Sequence, residues 1–465
     1  MKKVSRRTFL CNSIVLGKVA SSRIAKSAIR AADGSYVTGF EAHEKSFMDQ
    51  YYDGILCIVR GIRDTQKDKI AGAMEKAYEL KRKGGSIYSH MVVGHYAMFA
   101  GSSDRPGQPM VLPQSDVRSA MKEIETMKNG DFLITNAVFK GSKELRKRDI
   151  YVVGVTNNFY RFHRTPPDAL LPRLMETSIE DISDVVIDNQ MPWDNGLVSA
   201  PQIPHFKICP STGIAQFLVY WACTASLASL IGTKGKGSST EPAERYLDME
   251  YDRFQMIGTD SPKIDWVAEK WADLVLNKKA RLLVYGHPQN VGPYGGSYSR
   301  HGIRNMFVND ACICASGSMI ADQYEPNANN LHEGDIVLIG AFTSDNPLEI
   351  TAARNARRAG AYTVAFCPYM MDGDSSGLRL FKEVDDAFNT YSDESAGVIA
   401  VKGLKQKVSP LSGLTGSLVH WLLTAQWADH MARRGKMPYF WQAFEEKEGR
   451  AYDNAVRPYF LERGY

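Results

Sequence analysis

The sequence has no C-x-x-C pair, although seven cysteines are present: Cys11, Cys57, Cys209, Cys223, Cys312, Cys314 and Cys367. That absence removes zinc-ribbon and thioredoxin-like readings. Cys312-Ile313-Cys314 places two thiols on one face of a strand, a packing arrangement. No predicted strand is followed by G-x-G-x-x-G with an acidic residue about 20 positions later, and there is no P-loop. A nucleotide-dependent oxidoreductase is therefore a remote alternative, and no cofactor and no metal site is expected. No stretch reads as the ~18 apolar residues of a membrane helix. Charge of one sign is nearly balanced, with 56 Lys+Arg against 52 Asp+Glu and a net of +4. Nucleic-acid binders concentrate basic surface, so this balance argues against such a partner. At 44% hydrophobic and 23% charged residues, the chain is not disordered, collagen-like or a small disulfide scaffold. Its 465 residues fit two to three domains of about 150 residues each.

The first 30 residues also lack something: they hold no acidic side chain. They do hold Lys2, Lys3, Arg6, Arg7, Lys18, Arg23, Lys26 and Arg30. Ser5-Arg6-Arg7-Thr8-Phe9-Leu10 resembles the twin-arginine export signal, in which paired arginines precede an apolar run. The alternative is a basic tail on a cytoplasmic protein. Residues 1–32 are read as a signal, and a periplasmic or exported protein follows, with no membrane partner after export. Removing that segment leaves 48 basic against 52 acidic residues, a net of −4. The mild basicity belongs to the leader.

What is present is a repeat. Pro210-Ser-Thr-Gly213 through Leu218-Val-Tyr-Trp221 and Thr224-Ala225 recurs as Pro410-Leu-Ser-Gly413 through Leu418-Val-His-Trp421 and Thr424-Ala425. Asn129-Gly130-Asp131 with its apolar run to Ile134 recurs as Glu333-Gly334-Asp335 with its run to Ile339. Two matches in the same order at nearly the same offset point to duplication. The strands are continuous apolar runs, as expected where helices cover both faces of a parallel sheet. Expected strands include 150–155, 281–285, 311–315, 336–340 and 362–366. Expected helices include 264–279, one starting near Ser297, and 346–359 ended by Gly360. The fold class is α/β: two tandem three-layer αβα domains with parallel sheets, over residues 40–235 and 236–435. Gly232 to Thr240 is the expected linker. The aromatic tail 436–465 suits packing against the domain or against a second copy in a homo-oligomer.

Ligands of open α/β sheets bind beyond the carboxyl ends of the strands. Two loops there combine glycine with hydroxyls and amides. One is Gly286 to His301, holding His287, Gly295, Gly296, Ser297, Ser299 and His301. The other is Ala341 to Glu349, holding Thr343, Ser344, Asp345 and Asn346 before Pro347. Simple capping of the following helix is an equal reading for the second set. The matching loop of the first half, Ala137 to Lys143, reads as a solvated basic turn.

These stretches resemble the sugar isomerase (SIS) domain family, which includes phosphoglucose isomerase, the isomerase half of glucosamine-6-phosphate synthase and sedoheptulose-7-phosphate isomerase. Gly334-Asp335 through Gly340, the Ser/Thr loop, and Ile350 through Gly360 carry the likeness in the second half. Gly130-Asp131 through Asn157 is similar to a degenerate copy. Gly295-Gly296-Ser297-Tyr298-Ser299 is similar to the Gly-Gly-Ser-x-Ser of the sedoheptulose branch. The resemblance implies a sugar or sugar-derivative ligand and aldose–ketose isomerisation by proton transfer.

The family's phosphate loop is altered here, with Phe342, Asp345 and Pro347 standing at a hydroxyl, a glycine and a second hydroxyl. An aspartate ~4 Å from a phosphate is repelled by about 4 kcal/mol at an effective dielectric of ~20, unless a Lys or Arg offsets it. The family's base falls on Phe307. Glu349 and Asp345 are the remaining carboxylates, a helix-dipole role being the favoured alternative for Glu349, and His287 and His301 are the candidate acid–base histidines, with His95 in the first half. A non-catalytic sugar-derivative binding or sensing protein is the alternative to an enzyme.

Overall fold

A computed structural model describes residues 45–91, 111–112, 117–155, 177–192, 196–202, 207–285, 331, 333–369, 377–392, 397–438 and 465. Within them the chain is α/β with two four-stranded parallel sheets. The first sheet orders β1 (Ile87–His90), β2 (Phe132–Thr135), β3 (Tyr151–Val155) and β4 (Val185–Ile187). A two-stranded antiparallel ribbon follows, β5 (Gly196–Ser199) with β6 (Lys207–Pro210). The second sheet orders β7 (Leu282–Tyr285), β8 (Ile336–Gly340), β9 (Tyr362–Cys367) and β10 (Asp386–Asn389). The antiparallel bridge Ile399–Val408 stands where the ribbon stood in the first half.

In each half long helices precede the sheet and a buried helix closes it. Helix α1 (Phe47–Arg82) precedes the first sheet. The connections between strands carry α2 (Val117–Thr126) and α3 (Ile179–Ile182), and α4 (Thr212–Gly232) closes the half. In the second half α5 (Thr240–Gly258) and α6 (Ser261–Lys278) lead, α7 (Pro347–Arg358) crosses from β8 to β9, and α8 (Ser412–Arg433) closes. Helix α1 is unbroken where α5 and α6 are parted at Thr259 and Asp260, with Pro262 in the first turn of α6.

Individual atoms repeat as well. Tyr51 in α1 donates its hydroxyl to Pro210 O at 3.0 Å, and Tyr246 in α5 donates to Pro410 O at 3.1 Å. Asp131 Oδ1 accepts from Ser86 N at 2.8 Å, and Asp335 Oδ1 from Arg281 N at 3.1 Å. Asp184 Oδ2 accepts from Val152 N, and Asp385 Oδ2 from Thr363 N, both at 2.8 Å. The left-handed residues pair too: Cys209 with Ser409, and Gly130 with Gly334. A non-glycine residue held at positive φ costs of order 1 kcal/mol or more. Cys209 and Ser409 carry that strain at the same point, just before the two most buried helices.

Alternation along the strands covers both faces of the first sheet. Phe132, Ile134, Val153 and Val155 join the main core with the helices, while Leu133 and Val152 pack on Ile124, Met127 and Leu145. Helices α1, α4, α5, α6 and α8 touch one another across the two halves. Contrary to the expectation that no segment is long and apolar enough to cross a membrane, Thr212–Gly232 meets that criterion. Its most apolar window is 94% buried, so those side chains form the core of the fold.

The expected strands at 336–340 and 362–366 agree with β8 and β9, and Gly360 is left-handed at φ +80° as a helix terminator requires. The expected linker is instead a packed turn. Gly232 lies against the backbone of Lys402 and Gly403, where no Cβ fits. Thr233 Oγ1 accepts from Gly237 N, and Ser239 Oγ donates to Glu75 at 2.6 Å. Glycine served close approach here rather than flexibility. The helix from Ser297, the strand at 311–315, the leader 1–32 and most of the tail lie outside the described residues.

Candidate functional sites at two sheet edges

In the second half the site loop leaves β8 at Gly340. Ala341 N donates to Phe366 O on β9 at 3.0 Å, which fixes the loop to the sheet. Ala341 and Phe342 turn inward, Ser344 is fully buried, Thr343 and Asn346 are half-buried, and Asp345 faces solvent. Pro347 begins α7, its fixed φ suiting a first helical turn. Glu349, one turn in, is completely buried. A carboxylate there is favoured by the helix macrodipole.

A residue from another connection completes this edge. Leu380 N donates to Ser344 O at 2.7 Å. Arg379 precedes Leu380 in that connection. Arg379 is only 8% exposed, its Nη1 donates to Leu378 O at 3.1 Å, and its Nε has no hydrogen-bond partner. Buried guanidinium groups are normally fully paired. Asp345 is solvated rather than turned inward.

The first half holds a different arrangement at the equivalent edge. Registers Ile87 with Phe132 and Leu282 with Ile336 place His90 where Tyr285 stands and Asn136 where Gly340 stands. His90 is fully buried. Its Nε2 lies 2.7 Å from Glu123 Oε2 on α2, and its ring meets Phe139 edge-on at 5.9 Å. With the carboxylate accepting, the proton sits on Nε2 and Nδ1 keeps its lone pair. Nδ1 has no hydrogen-bond partner. Burial pulls the His90 pKa below the usual histidine value, more than Glu123 raises it, so the ring is neutral near pH 7. Thr135 Oγ1 is held by His90 O and Ala137 O, and buried Ser89 and Asn136 flank it.

Of the residues expected from sequence, the structure places Thr343, Ser344, Asp345, Asn346 and Glu349 in one loop and helix start. His287, Gly295, Gly296, Ser297, Ser299, His301 and His95 lie outside the described residues. Ala137 to Lys143 was expected to be solvated. Instead Ala137, Val138 and Ser142 are buried, and Phe139 packs on His90. Arg379, His90 and Glu123 were missed. His90 and Glu123 are 33 positions apart and Arg379 lies in a separate connection, so only the sheet brings these groups into place. Cys57, Cys209 and Cys223 are free thiols. Burial pushes the Cys209 and Cys223 thiols far up, so neither is a nucleophile.

No family model matches the chain. A UPF0309 protein of Shouchella clausii is 25% identical over 129 residues, 27% of this chain and 52% of that protein. The chain thus spans about half the length of this curated relative. Among solved structures, the C-terminal domain of glucosamine-fructose-6-phosphate aminotransferase from Francisella tularensis is similar with a TM-score of 0.40 and 9% identity, covering 80% of this chain and 95% of that one. Tagatose-6-phosphate ketose/aldose isomerase from Escherichia coli is similar with a TM-score of 0.39 and 12% identity, covering 84% and 95%. Similarity at that level says nothing of ligand or chemistry.

Proposed function

We propose that the chain is a tandem SIS-type protein that binds a sugar derivative at the carboxyl edge of its second sheet. One observation carries this reading: Leu380 N donates to Ser344 O at the loop before α7, and the residue before it, Arg379, is buried with its Nε unpartnered. A buried guanidinium in that connection and a helix N-terminus after the loop each suit an acidic group on the ligand, and the Thr343 and Ser344 hydroxyls and the Asn346 amide suit sugar oxygens. The sequence likeness to the SIS family supplies the sugar. Aldose–ketose isomerisation by proton transfer is the finer reading, with Glu349 as a carboxylate of that edge. A non-catalytic binder is the alternative.

The test is calorimetric titration of the purified chain with D-glucose, D-fructose and their 6-phosphates. Binding of a 6-phosphate that Arg379→Gln weakens about tenfold or more is expected, since charge-assisted hydrogen bonds contribute about 1.5–3 kcal/mol. Equal affinity in wild type and variant would remove Arg379 from the site. Turnover of the bound sugar separates enzyme from binder.

Export through the twin-arginine route is a second part of the proposal, resting on Arg6-Arg7 and the acid-free leader. Replacing both arginines by lysine should retain the protein in the cytoplasm on cell fractionation. Unchanged distribution would mean the segment is only a basic tail.

A further inference from the structure

We propose that the carboxyl edge of the first sheet is a second working site, in which His90, oriented by Glu123, exchanges a proton with an open-chain sugar. This rests on the sugar reading above but assigns the chemistry to the half whose sequence looks degenerate.

Three observations carry it. His90 is the last residue of β1 and pairs with Thr135, the last of β2, at the edge beyond which ligands of such sheets bind. The 2.7 Å contact with Glu123 fixes the ring and its tautomer, the arrangement a general base needs. The lone pair left over, on Nδ1, is buried and accepts from nothing. An unpaired buried acceptor costs stability, and such groups in folded proteins call for an explanation. A purely structural histidine tying α2 to the sheet needs only Nε2. The Glu123 side chain remains 29% exposed, so solvent reaches the carboxylate that orients the buried ring.

The step is internally balanced. Nδ1 takes the proton from the carbon beside the carbonyl, and that C–H electron pair forms the enediolate double bond. The imidazolium, paired with Glu123, returns the proton to the former carbonyl carbon. The hydroxyl proton passes to the former carbonyl oxygen. One carbon is oxidised as its neighbour is reduced, and no co-reactant is consumed.

The experiment incubates the full chain in D2O with D-glucose, D-fructose and their 6-phosphates, and follows deuterium entry at C1 and C2 by NMR. Wild type is expected to wash deuterium into at least one probe. His90→Gln should slow this on the order of 100-fold or more, the lower end of what a positioned acid–base group contributes, while the affinity measured by titration stays within about twofold. Glu123→Gln should slow it less and shift its pH profile. In His90→Ala, added imidazole should restore exchange, which a merely structural histidine would not do. Melting curves for both histidine variants and for Glu123→Gln identify any loss of fold, and a variant that does not fold is read through the other two. Exchange unchanged in a folded His90 variant overturns the site while leaving sugar binding intact. Binding without exchange in wild type also overturns it and favours the binder. Neither binding nor exchange overturns both readings.

Discussion

The two sheet edges have the same scaffold and different chemistry. In each half an aspartate caps the strand lead-in, a tyrosine ties the first helix to the proline before the last, and a left-handed residue precedes the most buried helix. At the carboxyl ends the halves part. The first offers a neutral imidazole on a carboxylate, enclosed by Phe139. The second offers hydroxyls, a helix start, a buried carboxylate and a guanidinium. The shared features are those that hold strands in register, because a slip there moves every side chain to the wrong face. The loops beyond the strands bear no such constraint, so they diverge first.

The strongest way to break this comparison is to ask whether the halves fold apart. Helix α4 packs on α1, α5 and α8, and Ser409 Oγ of the second half donates to Trp221 O of the first at 2.8 Å. Trp221→Ala and Trp421→Ala should each cost about 3–5 kcal/mol, as large core truncations do. In urea, each variant should still unfold in a single transition seen alike by fluorescence and circular dichroism. Two separated transitions, with only one displaced by each substitution, would show independent halves.

Much of the shared scaffold is legible in the sequence, because it is written in apolar runs and turn glycines. The strands β8 and β9 and the end of α7 follow directly from Ile336 to Gly340, Tyr362 to Phe366 and Gly360. The strand β1 is harder to read. Its Ile-Tyr-Ser-His has little apolar character, and it is a strand because Phe132 to Thr135 pairs with it. The site divides the same way. Ser344 and Glu349 are visible because they follow a strand and open a helix. His90 is not, since its meaning comes from Glu123 on a separate helix. Arg379 has no local signature at all: it matters only because Leu380 N reaches Ser344 O.

An intermediate effect tests the state of the imidazole. His90 is pulled below its usual pKa of about 6.5 by burial. Above pH 6.5 folded and unfolded chains both hold it neutral, and stability is at its full value. As pH falls below that, the unfolded chain binds a proton that the folded chain does not, so stability declines until the folded pKa is passed. The facing groups are Glu123, whose carboxylate moderates the shift, and the uncharged Phe139 and Thr135. The decline should be shallower in His90→Gln than in wild type, by less than about 1.4 kcal/mol per pH unit for one proton. Parallel curves between pH 6.5 and 5 would mean that His90 titrates as an ordinary exposed histidine, and the enclosed first edge would have no special character.

The finest comparison lies in the two tyrosines. Tyr51→Phe removes one buried hydrogen bond, to Pro210 O, and should cost about 1 kcal/mol. Tyr246→Phe removes the equivalent bond to Pro410 O, but the same hydroxyl also lies 2.6 Å from Glu250 Oε1. Glu250 is completely buried, and nothing in α1 repeats this arrangement: counting from Tyr51, the equivalent position is Ile55. Losing a donor to a buried carboxylate adds its own penalty, so Tyr246→Phe should cost about 2–3 kcal/mol. In the Tyr246→Phe background, replacing Glu250 by Gln removes the buried carboxylate that has lost its donor and should return most of the difference. Equal losses at Tyr51 and Tyr246 would mean that Glu250 contributes nothing through the hydroxyl, and that the halves are as alike in energy as they are in geometry.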